Sequence, residues 1–148
     1  MNAIFHRTSV RQFQNKPVEE EKIEQILRAA MAAPSAGNQQ PCSVYAGCAA
    51  NAPVVLVPCL RTEGLIFPQM GEIDMAIATE NILLEITELG LGGVWLGIAP
   101  LTDRIEKVDS ILDLKDKLHA FALIPIGYPV QQHSQQDRFD IDRIHFIR

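Results

Sequence analysis

The sequence predicts one domain of mixed composition, α+β or α/β, with a mixed sheet flanked by helices. Three observations lead there. Helical patterns at residues 17–33 and 70–90 alternate with short apolar runs at 54–57, 94–98 and 120–129. The 148 residues, 47% of them hydrophobic, can bury one continuous core and leave little for a second. No segment is repeated or of low complexity.

The first helix is expected over 17–33, where Ile23, Ile26, Leu27, Ala30 and Met31 recur at i, i+3, i+4, i+7 and i+8. Pro17 and Pro34 bracket it as start and stop signals. Residues 34–41, Pro-Ser-Ala-Gly-Asn-Gln-Gln-Pro, are small and polar between two prolines, so they read as a loop with exposed backbone amides. Val54-Val55-Leu56-Val57 is β-branched without alternation, as in a strand covered on both faces. Residues 70–90 form a long helix with Ile73, Ile77, Leu83, Leu84 and Ile86 around much of its circumference and Gly90 as its C-terminal cap. So short a chain can hardly enclose such a helix alone, which favours an oligomer. A strand follows at 94–98, then a short helix capped by Thr102 and carrying Ile105, Val108 and Leu112, then a strand at 120–129 that ends in Gly127-Tyr128-Pro129. The polar tail from Gln131 carries Phe139, Ile141, Ile144, Phe146 and Ile147, and is expected to order by wrapping another surface.

Charge narrows the function. The 13 basic against 18 acidic residues give a net charge of -5, which disfavours nucleic acid and anionic membrane as partners. No apolar run approaches the roughly 20 residues of a membrane span, and the first residues lack a signal-peptide pattern, so the chain reads as cytoplasmic. Cys42, Cys48 and Cys59 show no C-x-x-C spacing and read as reduced, mostly buried thiols. His6, His119, His133 and His145 are scattered without metal-ligand spacing. There is no G-x-G-x-x-G turn, phosphate loop or nucleophile elbow.

The cationic opening stands out in an acidic chain. In His6-Arg7-Thr8-Ser9-Val10-Arg11 an extended backbone would point Arg7, Ser9 and Arg11 to one side. Guanidinium forks with hydroxyls suit a phosphate. The alternative is a solvated turn whose arginines pair with Glu19, Glu20 or Glu21.

Four segments in order resemble the nitroreductase family of flavoproteins. They are Arg7-Thr8-Ser9-Val10-Arg11-Gln12-Phe13, residues 33–41, Gly90-Leu91-Gly92-Gly93-Val94-Trp95-Leu96-Gly97, and Ile124-Pro125-Ile126-Gly127-Tyr128-Pro129. The resemblance implies an α+β sandwich, an intertwined homodimer and two FMN sites at the interface. By it, Arg7, Thr8, Ser9 and Arg11 would hold the FMN phosphate and ribityl chain, with Arg138 adding a contact. Pro34, Ser35, Ala36, Gly37 and Asn38 would reach the flavin from the partner subunit. Trp95, Leu96 and Gly97 would line the isoalloxazine ring. The implied activity is ping-pong reduction of a small-molecule electron acceptor, a nitroaromatic or quinone, with NADH or NADPH as donor and the chemistry carried by the flavin. The rival readings are a flavin-binding carrier or sensor without turnover, and a dimeric interaction protein without flavin. Two departures from the family pattern stand out. Cys42 replaces an aromatic residue, and only the 11 residues 42–52 lie where the family has a strand and a helix. An internal strand is hard to delete without exposing its neighbours' edges, which favours a stretch omitted from the sequence over a deletion.

Overall fold

The computed structural model describes residues 2–132, 134–135 and 137–147. Its helices are α1 (Ala3–His6), α2 (Glu20–Met31), α3 (Gly71–Glu88) and α4 (Thr102–Leu112). Its strands are β1 (Cys42–Ala49), β2 (Ala52–Arg61), β3 (Gly92–Gly93), β4 (Leu96–Gly97), β5 (Leu118–Ala120) and β6 (Ala122–Gly127). The sheet runs β1-β2-β6-β3, with β5 beside β2 and β4 beside β6. Every ladder is antiparallel, and the parallel component of the expected mixed sheet is confined to the single bridge between Ser9 and Gly93.

Alternation along β2 builds three layers. Val54, Leu56 and Leu60 face α2 and α3, packing with Ile26, Met75, Ile82, Ile86 and Ile124. Val57 and Cys59 face the other way, onto Ile105, Val108 and Leu112 of α4. The strand expected at 54–57 is therefore covered on both faces, and it runs on through Pro58 to Arg61. Pro58 is tolerated in this central position because it faces Phe121, the residue that separates β5 from β6; its carbonyl accepts the Phe121 N–H at 2.8 Å.

The interval 42–52 takes a strand in spite of its shortness. It holds the strand, β1, and joins it to β2 across Ala50 and Asn51, with a register shift between Gly47 and Ala49. No helix intervenes. The unpaired edge that argued for an omitted stretch does not arise, because β1 covers β2. The strand expected at 94–98 is also revised, into β3 and β4 pairing with opposite ends of β6. Thr102 is the first residue of α4 rather than its cap, which is Leu101.

The α3 helix ends as read, with Gly90 at φ 72°. Ile73 and Ile77 on α3 remain 52% and 37% exposed, and Phe139, Ile141, Phe146 and Ile147 of the tail are 60% exposed or more. Among the described helices none is long and apolar enough to cross a membrane. His133 lies outside the described residues.

Candidate functional site

Arm residues 7–13 lie extended beside Gly92 and Gly93. Val10 N–H donates to the Gly93 carbonyl at 2.9 Å, and Phe13 bridges Pro129. Val10 is buried, so Ser9 and Arg11 on either side of it face outward, as period-two alternation requires. A Cβ on Gly92 would come within 2.7 Å of Val10 Cβ. Only glycine allows the arm to lie this close.

Ser9 and Arg11 line one cavity of about 330 Å³ together with Gln12 and Gln131. Among the described residues Arg11 forms no ion pair and neither side chain forms a hydrogen bond. Arg7 is different: its Nε lies 3.4 Å from Glu80 Oε1 on α3. The sequence alternative, pairing with Glu19, Glu20 or Glu21, is not what occurs. Glu19 instead accepts from the Tyr128 hydroxyl, at 2.8 Å to Oε2, and lies 3.7 Å from Lys22 Nζ. Its own backbone hydrogen bond, then Tyr128, hold its carboxyl below the ordinary range. Thr8 does not join Ser9 and Arg11. Alternation turns it to the opposite side, against His6, Thr87 and Gly90.

Residues 34–38 lie apart from this cluster. Here Ala36–Asn38 form a turn of 3-10 helix, and Gly37, Asn38 and Gln40 take φ values of 56°, 54° and 46°. Gln40 N–H donates to Ser35 Oγ at 3.0 Å, and Asn38 Oδ1 accepts from Gln40 Nε2 at 2.9 Å. The loop is tied to α3 by Asp74, whose Oδ1 accepts from Ala36 N–H at 2.9 Å and Oδ2 from Gln39 Nε2 at 2.7 Å. Gln39 also exchanges hydrogen bonds with both backbone groups of Phe67. Pro34 and Ser35 border a cavity of about 180 Å³ over Asp74 and Ala78. Sequence reasoning missed Asp74 and Gln39. The signal was there for Asp74: it falls with Gly71, Met75, Ala78 and Ile82 on the buried stripe of α3, where a carboxylate needs donors.

Trp95 packs against Phe121 with the rings tilted by 58° and their centroids 5.6 Å apart, while Leu96 is 40% exposed. Above Gly97 there is open space where a Cβ would stand, and its carbonyl accepts from Arg104 Nη1 at 2.9 Å. Arg138 is exposed in the tail, three residues after Gln135, whose side chain donates to the Ile4 carbonyl at 3.1 Å. None of the described cavities joins the arm, the loop at 34–38 and residues 95–97.

Among the described residues the Cys42 and Cys59 thiols donate to backbone carbonyls, those of Ser43 and Val57. Burial pushes Cys42 up to about 11 and Cys59 up to about 12, whereas Cys48 is exposed. Of the three thiols expected to be mostly buried, Cys59 is buried, Cys42 half-buried and Cys48 exposed.

Comparison with known proteins decides the family. The nitroreductase family model matches residues 4–48 and 47–128. The chain belongs to the nitroreductase family. The two matches meet at Gly47 and Cys48, near the end of β1. A Methanothermobacter thermautotrophicus protein, provisionally named NADH dehydrogenase/NAD(P)H nitroreductase, is 35% identical over 162 residues, covering 98% of this chain and 85% of its own. That alignment is longer than the present chain, so the relative carries residues that this one lacks. A crystal structure of a provisionally named NADH oxidase from Clostridium acetobutylicum superposes with a TM-score of 0.95 at 39% identity, covering 99% of each chain. One from Desulfovibrio desulfuricans, a provisional nitroreductase in complex with FMN, gives 0.87 at 26% identity, covering 99% of this chain and 95% of that one. These matches establish the α+β nitroreductase fold.

Proposed function

We propose that this protein is an NAD(P)H-dependent flavin oxidoreductase that binds FMN and reduces small acceptors, nitroaromatics or quinones, by a ping-pong mechanism. The observation that carries the reading is the pairing of Ser9 with Arg11 in one cavity. In an acidic chain, these are an uncommitted guanidinium and hydroxyl on an arm fixed to the sheet. That donor set fits a phosphate. Family membership and the FMN complex of the Desulfovibrio relative support the same assignment.

In this reading Ser9 and Arg11 bind the phosphate and Arg138 adds a contact from the tail. Arg7 contributes on leaving Glu80 or while sharing it, and Thr8 contributes through its backbone. Trp95, Leu96 and Gly97 flank the ring, where the open space above Gly97 leaves room for a flat group. Bound FMN supplies two-electron transfer from NAD(P)H to the acceptor, so no protein nucleophile is required.

A homodimer completes the site. Pro34, Ser35, Ala36, Gly37 and Asn38 reach the partner's cofactor, which accounts for their separation from Arg11 within one chain. The exposed Ile73 and Ile77 stripe and the apolar tail are the surfaces such a dimer buries. Purified protein is expected to show flavin absorption that bleaches when NADH or NADPH is added without oxygen. Flavin that does not bleach overturns the enzyme in favour of a carrier or sensor. A colourless protein that fails to take up FMN overturns the flavoprotein reading.

A further inference from the structure

The loop at 35–40 carries three left-handed residues within four positions, two of them not glycine. Such a backbone persists only where its surroundings over-determine it, and such segments concentrate at ligand sites. The surroundings here are specific. Asp74 is 4% exposed and Gln39 7% exposed, and their 2.7 Å contact is the buried link between α3 and the loop. Asp74 Oδ1 takes the Ala36 N–H, so one carboxylate fixes both a backbone amide and the side chain of Gln39. Gln39 Nε2 is shared between Asp74 and the Phe67 carbonyl, while Gln39 Oε1 accepts from Phe67 N–H. Its orientation is thereby set, because reversing the amide would oppose donor to donor and acceptor to acceptor at Phe67. Phe67 in turn closes over Gly37, where an added Cβ would lie 2.9 Å from its ring.

We propose that Asp74, through Gln39, is the positioning residue that holds this loop in its flavin-contacting posture. Asp74 touches no cofactor itself. The inference rests on the FMN reading above and adds to it the buried group that sets how tightly the loop grips. Ser35 and Asn38 cannot take up this role, since their side chains hydrogen-bond only within the loop itself.

The test uses the full chain reconstituted with FMN, with the FMN dissociation constant read from flavin fluorescence quenching and the thermal midpoint of the FMN-free protein read alongside. Asp74→Asn keeps an acceptor for Ala36 N–H but sets an amide against Gln39 Nε2. It is expected to weaken FMN binding by about tenfold or more. Combining it with Gln39→Glu restores a donor and acceptor with their direction reversed. That double variant is expected to recover at least about threefold of the loss, short of full recovery because the new carboxylate faces the Phe67 carbonyl. Should Asp74→Asn not fold, the double variant is compared with Gln39→Glu alone, which sets carboxylate against carboxylate and should bind worse than the double. An Asp74→Asn protein with a lowered midpoint but unchanged FMN affinity overturns the proposal, as does a double variant no better than the single it is compared with. Wild-type protein that takes up no FMN overturns the flavin reading, and this inference falls with it.

Discussion

Replacing Gly92 with Ala tests whether the arm's contact with the sheet is what presents Ser9 and Arg11. The new Cβ would lie 2.7 Å from Val10 Cβ and 2.8 Å from each Val10 Cγ, so no rotamer change relieves it. Val10 must retreat by about 0.7 Å to reach the 3.4 Å of ordinary contact. That movement strains the 2.9 Å bond from Val10 N–H to Gly93 and the Ser9 bridge. Overpacking on this scale costs about 1–3 kcal/mol. Taking about 2 kcal/mol, the thermal midpoint should fall by roughly 4–8 °C for a chain near 150 residues. FMN retention should drop as well, because the arm carries Ser9 and Arg11, the two proposed phosphate ligands that share a cavity. The assay is a thermal melt of the FMN-free protein with FMN binding measured beside it. An unchanged midpoint would show that the arm moves freely. A lowered midpoint with wild-type FMN affinity would show that the arm's seat on the sheet does not present the ligands. Either result refutes the reasoning.

Arg11→Ala should weaken FMN binding about tenfold or more, since a charge-assisted contact is worth roughly 1.5–3 kcal/mol; unchanged affinity returns the arginine to a solvated surface role. With a thiol reagent near neutral pH, Cys48 should react rapidly, half-buried Cys42 slowly, and buried Cys59 only on unfolding; fast reaction of all three would contradict this order. Because burial raises both thiols in the folded chain from an ordinary value of 9.0, their stabilising effect is complete below that value. It is lost as pH rises through about 11 and 12, so the urea midpoint should decline from about pH 9 upward, less steeply in Cys59→Ala. Asp109 is 16% exposed and accepts from both His119 Nδ1 and the buried Ala120 N–H, each at 2.8 Å. Asp109→Ala should therefore cost about 1–3 kcal/mol, and His119→Ala, whose side chain is 43% exposed, less than about 1 kcal/mol; urea denaturation giving the reverse order would refute this.

The fold was legible wherever burial imposed a period. The stripes of α2 and α3 and the unalternating apolar run of β2 each report a face pressed against another layer. Three elements had no such imprint. Cys42–Ala49 is a partly exposed edge strand of small and mixed residues, so pairing with β2 rather than composition makes it a strand. The four residues of α1 are too few to show periodicity. The break between β3 and β4 follows from two-residue pairings at separate places along β6, a tertiary fact that the continuous apolar run Val94-Trp95-Leu96 conceals.

The site was legible in part, and the division has a physical cause. Ser9 and Arg11 could be singled out as anion-binding candidates because such a role calls for particular side chains on the surface, and alternation places them on one side of an extended arm, where they line one cavity. The same alternation turns the Thr8 side chain to the other side, which leaves only its backbone to face the same way as Ser9 and Arg11. Pro34, Ser35, Ala36, Gly37 and Asn38 declared a loop through their composition, but not what holds it. That work falls to Asp74 and Gln39, which look unremarkable locally: an acid in the first turn of a helix reads as a dipole partner, and a glutamine between prolines as solvated. Only burial distinguishes them. Asp74 occupies a position that the α3 stripe reserves for apolar side chains, and a carboxylate is retained there only if its donors are supplied, as Ala36 and Gln39 supply them. A polar residue that interrupts a buried stripe is thus a more telling signal than one in a loop, since the stripe fixes where it must point and the cost of burial demands a partner.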